Sequence, residues 1–157
     1  SPVRQCQTGN MSDSCGAQVI HMENREVVAN ESWVYVWVRD ETNAIVYVGA
    51  TGVAPALRSW LHLNHEEPAV GRIAAKYPEV GGDLSEHFTV IAFLVDQTIE
   101  RHGVKQFLES ALSEASALDV QYVGEPPSGN TFGADVEQLG TRIASELLER
   151  LHKRGPV

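Results

Sequence analysis

Residues 33–65, reading WVYVWVRDETNAIVYVGATGVAPALRSWLHLNH, constrain the fold more than any other part of the chain. The runs 33–39 and 45–50 are apolar at nearly every position and rich in valine and aromatic residues, which suit a pleated, packed surface. Asp40, Glu41, Thr42 and Asn43 between them are short or polar turn formers, so the two runs are expected to pair as an antiparallel hairpin. A strand apolar on both sides is covered on both sides. The hairpin is therefore expected inside a sheet flanked by helices. Downstream, Thr51 or Gly52 can cap a helix, and Pro55 sits near the first turn, where proline is tolerated. Ala54, Leu57, Trp60 and Leu61 then form an apolar stripe at helical spacing, expected to face the core. Arg58, His62 and His65 fall on a neighbouring face.

The rest of the chain supplies cover for that hairpin. A second helix is expected over 68–77, stopped by Pro78, with Gly81-Gly82 marking a loop. Residues 87–95, HFTVIAFLV, read as a third strand. A helix follows over 104–118, with Val104, Phe107, Leu108, Ala111, Leu112 and Ala115 inward. Residues 119–123 are short and open to an extended reading. Residues 124–133, GEPPSGNTFG, form a loop. Residues 134–153 read as a last amphipathic helix with Val136, Leu139, Ile143, Leu147, Leu148 and Leu151 on its apolar face. That face is open to two uses, as core or as a homo-oligomer contact. Residues 1–32, rich in Ser, Gln, Asn and Gly, are expected to be a flexible leader, with residues 33–153 as one domain. The expected class is α+β: a small sheet with helices packed on it.

Composition limits the functional classes. With 157 residues, 43% of them hydrophobic, the chain can bury a real core. No apolar run reaches the length needed to cross a bilayer, and no signal peptide opens the chain, so a soluble, cytoplasmic protein without a membrane partner is expected. The net charge is −9, from 12 Lys+Arg against 21 Asp+Glu. That weighs against gripping nucleic acid by a broad basic surface and leaves room for a local cationic site. Cys6 and Cys15 lie in the leader at a spacing that fits no metal motif.

The motifs of 33–65 resemble the GIY-YIG nuclease core. Trp33-Val34-Tyr35 stands where that family has its first tripeptide, and Tyr47-Val48-Gly49 where it has the second. Arg58 follows Tyr47 by eleven residues, and His62 follows Arg58 by four. Glu109, in the run Glu-Ser-Ala-Leu, matches the family's glutamate on a later helix, with Glu114 as the other candidate, and Asn130 matches its loop asparagine. The resemblance covers about residues 33–130. It implies a three-stranded antiparallel sheet flanked by helices, in the order ββααβα plus the C-terminal helix. It also implies an endonuclease that hydrolyses DNA phosphodiester bonds with one divalent ion, Mg²⁺ or Mn²⁺, held by Glu109.

Each implied residue has a chemical rationale. A carboxylate is a hard ligand suited to magnesium, which keeps much of its own water shell. Arg58 would pair its planar fork with the non-bridging phosphate oxygens. One of Tyr35 and Tyr47 would take a proton from the attacking water or orient it, which requires a phenol pKa lowered by the metal and Arg58. His62 would orient a tyrosine or act as base, with Asn130 in support, and Gly49 would keep the backbone close to the site. The rival reading is a module of the same fold without turnover. It would act through a protein partner, which could also bring the chain to DNA. The excess of acidic residues and Trp33 in place of the family's first glycine motivate it.

Overall fold

The computed structural model describes residues 19–28, 31–114, 123–124 and 131–154. Asn130, Ala115 and both cysteines lie outside the described residues. Within the expected leader, β1 (Met22–Glu23) and β2 (Glu26–Val27) pair as a small exposed hairpin. Its turn residues Asn24 and Arg25 have φ of 49° and 71°, the backbone of a primed hairpin turn.

β3 (Trp33–Arg39) and β4 (Ile45–Thr51) form the expected hairpin, and β5 (Phe88–Leu94) adds to the other side of β3. The sheet order is β4-β3-β5, antiparallel throughout. Strand alternation divides β3 between two faces. Val34, Val36 and Val38 point to one side. There they pack with Val48, Phe93 and the helices α3 (Arg101–Glu114) and α4 (Ala134–Arg154). Tyr35 and Trp37 point to the other side, toward α1 (Pro55–Asn64) and α2 (Arg72–Lys76). The two-sided burial expected from the apolar runs is therefore present, and the fold is α+β with helices on both faces. The free edge of β4 is bonded in turn: the Val123 amide donates to the Val46 carbonyl at 2.9 Å.

α4 uses its apolar stripe inside the chain. Val136, Ile143, Leu147 and Leu151 are buried with Val104, Leu108 and Leu112 of α3, and Leu148 alone of the expected face is exposed, at 38%. Asp135 and Glu137 in its first turn, and His152, Lys153 and Arg154 in its last, complement the helix dipole. Arg154 also reaches Asp40 at 2.6 Å, tying the end of α4 to the β3–β4 turn. Among the described residues no helix is long and apolar enough to cross a membrane.

Two expectations fail locally. The helix expected over 68–77 begins only at Arg72. The amides of Val70 and Gly71 both bond to the Glu67 carbonyl, at 3.0 and 2.7 Å, and close a turn before the helix starts. Gly71 then backs directly onto the carbonyl of His65, with no room for a side chain. The stripe expected to bury α1 is also wrong. Leu57 and Trp60 are 48% and 60% exposed, while His62 is fully buried. The helix is turned so that Arg58 and His62, not the apolar stripe, lie toward the sheet.

Candidate functional site

The site is assembled by strand register. Tyr35 pairs with Gly49 across the hairpin, and Trp37 pairs with Tyr47. Gly49 has no side chain, and the Tyr35 ring lies across the space that a Cβ would fill. Tyr35 and Tyr47 are thereby brought side by side, with ring centroids 6.2 Å apart. α1 then lowers His62 onto them. The His62 ring lies 4.9 Å from that of Tyr47, 5.8 Å from Tyr35 and 5.9 Å from Trp37, centroid to centroid.

The closest polar contact is Tyr35 Oη to His62 Nε2, at 2.7 Å. Burial, followed by the nearby charges of Arg58 and Arg72, pushes the His62 pKa down to about 3, so the imidazole is neutral. A neutral imidazole carries one N–H. Whichever nitrogen bears it, Tyr35 satisfies Nε2, and Nδ1 has no partner among the described residues. The Tyr35 phenol is shifted upward by the protein around it. Burial, and then the neighbouring Tyr47, push its pKa above the ordinary phenol range. Arg58 and Arg72 pull the other way, Arg58 by hydrogen bonding as well as charge, but desolvation wins. Tyr35 therefore holds its proton in the free site and acts as a partner that fixes His62.

Stability should report this buried neutral histidine. An unfolded histidine titrates near 6.5, and the folded one near 3. Between these values the unfolded chain binds a proton that the folded chain refuses, so stability falls as pH drops from about 6.5 toward about 3. The full loss is on the order of 4–5 kcal/mol at about 1.4 kcal/mol per unit. Asp40, held low by Thr89 and Arg154, and Glu86, held low by Tyr77, add loss of the same sign, but they are unchanged in a His62 variant. His62→Gln should flatten the fall in urea midpoint between about pH 7 and about pH 4. Equal pH slopes in the two proteins would show that His62 titrates normally.

Arg58 donates from Nη1 to the Val70 carbonyl at 2.8 Å. A second arginine, which sequence reasoning passed over, joins it. Arg72 donates from Nε to the Ala69 carbonyl at 3.3 Å, and its charge acts on both Tyr35 and His62. Among the described residues neither guanidinium has a carboxylate within ion-pair distance. Nothing in the local pattern GRIAAK marks Arg72; only the turn over 66–71 brings it to Arg58.

Glu109 is buried on α3 and Glu114 is exposed. Glu109 Oε1 has no hydrogen-bond partner among the described residues, and Lys105 Nζ stands 3.4 Å from it. The side chains of this pair are 10% (Lys105) and 4% (Glu109) exposed. A carboxylate is a hard ligand suited to a divalent cation, but this oxygen already faces an ammonium. Lys105 supplies the countercharge and would have to yield to such an ion. No cluster of three metal-ligating side chains occurs among the described residues. The structure thus unites Tyr35, Tyr47, Arg58 and His62. Glu109 makes its polar contact with Lys105 and none with those four, and Asn130 falls outside the described residues.

No family model matches the chain, and no solved structure matches it. Among curated proteins it is similar to a succinyl-diaminopimelate desuccinylase of Phenylobacterium zucineum (strain HLK1). The two are 29% identical over 105 residues, which take in 64% of this chain and 24% of that protein. The chain thus spans about a quarter of the relative's length, and a likeness of this extent assigns it to no family.

Proposed function

We propose that this site binds the phosphate of a nucleic-acid backbone and that the chain is a divalent-metal-dependent endonuclease acting on DNA. The observation that supports this reading is the placement of Arg58 and Arg72 beside a neutral Tyr35–His62 pair, with no carboxylate at ion-pair distance from either among the described residues. An oxyanion is the group that such a cationic spot lacks. The spacing of Tyr35, Tyr47, Gly49, Arg58 and His62, which resembles the GIY-YIG pattern, adds weight, because these residues meet in space. In this reading Arg58 neutralises charge on the non-bridging oxygens. Tyr47 orients the attacking water, and His62, neutral and hydrogen-bonded to Tyr35, holds that tyrosine in place beside Arg58. Glu109 would hold Mg²⁺ or Mn²⁺. When bound, that ion would supply an acidified water and Lewis-acid help; its place beside a phosphate at Arg58 rests on the resemblance, since among the described residues the polar contact of Glu109 is with Lys105.

A second reading has its own observation. Leu57 and Trp60 are exposed on α1, and large exposed apolar side chains favour a protein contact. In that case the chain binds a partner and turns nothing over. Glu109→Gln separates the two. The nuclease reading expects metal-dependent cleavage of an oligonucleotide by the wild type, lost on chelation and reduced at least about 100-fold in Glu109→Gln. Cleavage unchanged by either treatment would remove Glu109 and the metal from the account.

A further inference from the structure

The turn over 66–71 does more than interrupt a helix. Its two amide bonds to the Glu67 carbonyl, and the contact of Gly71 with the His65 carbonyl, fold α2 back against the end of α1. Arg58 and Arg72 both hydrogen-bond this turn. They bond the carbonyls of adjacent residues, Val70 at 2.8 Å and Ala69 at 3.3 Å. Each guanidinium spends one N–H there, of the five that it has. Elsewhere in the chain Arg39, Arg150 and Arg154 each hold a carboxylate, on Glu86, Glu146 and Asp40. Glu66 and Glu67 on the turn are exposed and pair with neither arginine. Two guanidiniums gathered on one turn repel each other, and bound anions relieve that repulsion.

The two are not equivalent. Arg58 stands against Tyr35 and His62, where the reacting phosphate would lie. Arg72 begins α2 and has the longer carbonyl bond of the two. We infer that Arg72 is a substrate-positioning residue that holds the phosphate next to the one at Arg58, so that the site takes a strand with consecutive phosphates rather than a lone phosphate group. This rests on the phosphate-binding reading above, and it adds a second anion subsite and a minimum length of substrate.

The test is binding by the full chain, followed by fluorescence anisotropy in EDTA so that no cleavage intervenes. The probes are a labelled single-stranded oligonucleotide of about ten residues and a labelled dinucleotide with a single phosphate. Arg72→Gln should weaken oligonucleotide binding by several-fold and lower the slope of log affinity against log salt by about one, while Arg72→Lys restores the slope. Dinucleotide binding should not change in Arg72→Gln. In cleavage assays Arg72→Gln should act more on KM than on kcat. Circular dichroism confirms that the variant folds. If Arg58→Ala weakens the oligonucleotide complex and Arg72→Gln leaves its affinity and salt slope unchanged, the second subsite is overturned and the first stands. If the wild type binds neither probe, both fall.

Discussion

Arg58→Ala is expected to lower cleavage of a nucleic-acid phosphodiester by about 10²–10³-fold, the usual cost of losing one charge-stabilising donor from a reacting oxyanion. In the proposed nuclease reading the loss should fall on kcat, because the charge that Arg58 would meet grows as the phosphate is attacked. Folding should survive. Arg58 is half-buried, it hydrogen-bonds a loop carbonyl and Tyr35, and among the described residues it carries no ion pair that would leave an acid orphaned. Its removal should also relieve His62, whose pKa is depressed first by burial and next by Arg58. The two effects together are specific. A variant that lost activity without any rise in the histidine pKa, followed by NMR titration, would place Arg58 elsewhere than beside His62.

The second large effect is on stability. Lys105→Met keeps the length of the side chain and a good helix former, but leaves Glu109 as a buried charge without its counter-ion. Breaking a buried pair in this way costs about 3–5 kcal/mol. For a chain of this size that is a fall of roughly 10 °C in melting temperature. A divalent ion at Glu109 should give much of it back. An ion that binds only the folded chain stabilises by about 2.7 kcal/mol at a hundredfold excess over its Kd. Magnesium should therefore raise the melting temperature of Lys105→Met more than that of the wild type, where the ion must first displace the ammonium. A Lys105→Met protein that melts lower and ignores magnesium and manganese would make Glu109 a structural residue.

The hairpin was legible because strand periodicity and turn chemistry are local. Tyr35, Tyr47 and Gly49 are fixed in register by the same pattern, and their meeting follows from it. The orientation of α1 was not legible. Polarity alone places Leu57 and Trp60 inside, and burying such side chains is worth about 1.5–3 kcal/mol each. The helix instead buries His62 because the phenol of Tyr35 on the sheet below needs a polar partner. That requirement comes from residues 27 positions away and leaves no trace in the helix's own sequence. Arg72 was hidden for a similar reason, since only the Glu67-centred turn returns it to Arg58. Glu109 could be singled out from its motif, but its burial beside Lys105 depends on how α3 packs. The upward shift of Tyr35 was not legible, because proximity to Arg58 is visible in spacing, whereas the larger desolvation cost appears only once the core is built. Exposed leucine and tryptophan beside a buried histidine are a local conflict between the helix's own sequence and its place in the fold.

Metal-dependent cleavage at Arg58 is tested by conversion of supercoiled plasmid by the wild type in magnesium or manganese, beside an EDTA control and Arg58→Ala. Nicked or linear product is expected from the wild type, none with EDTA and almost none from the variant. Product formed equally by wild type and variant, or no product on duplex, single-stranded or branched DNA with either metal, would contradict it.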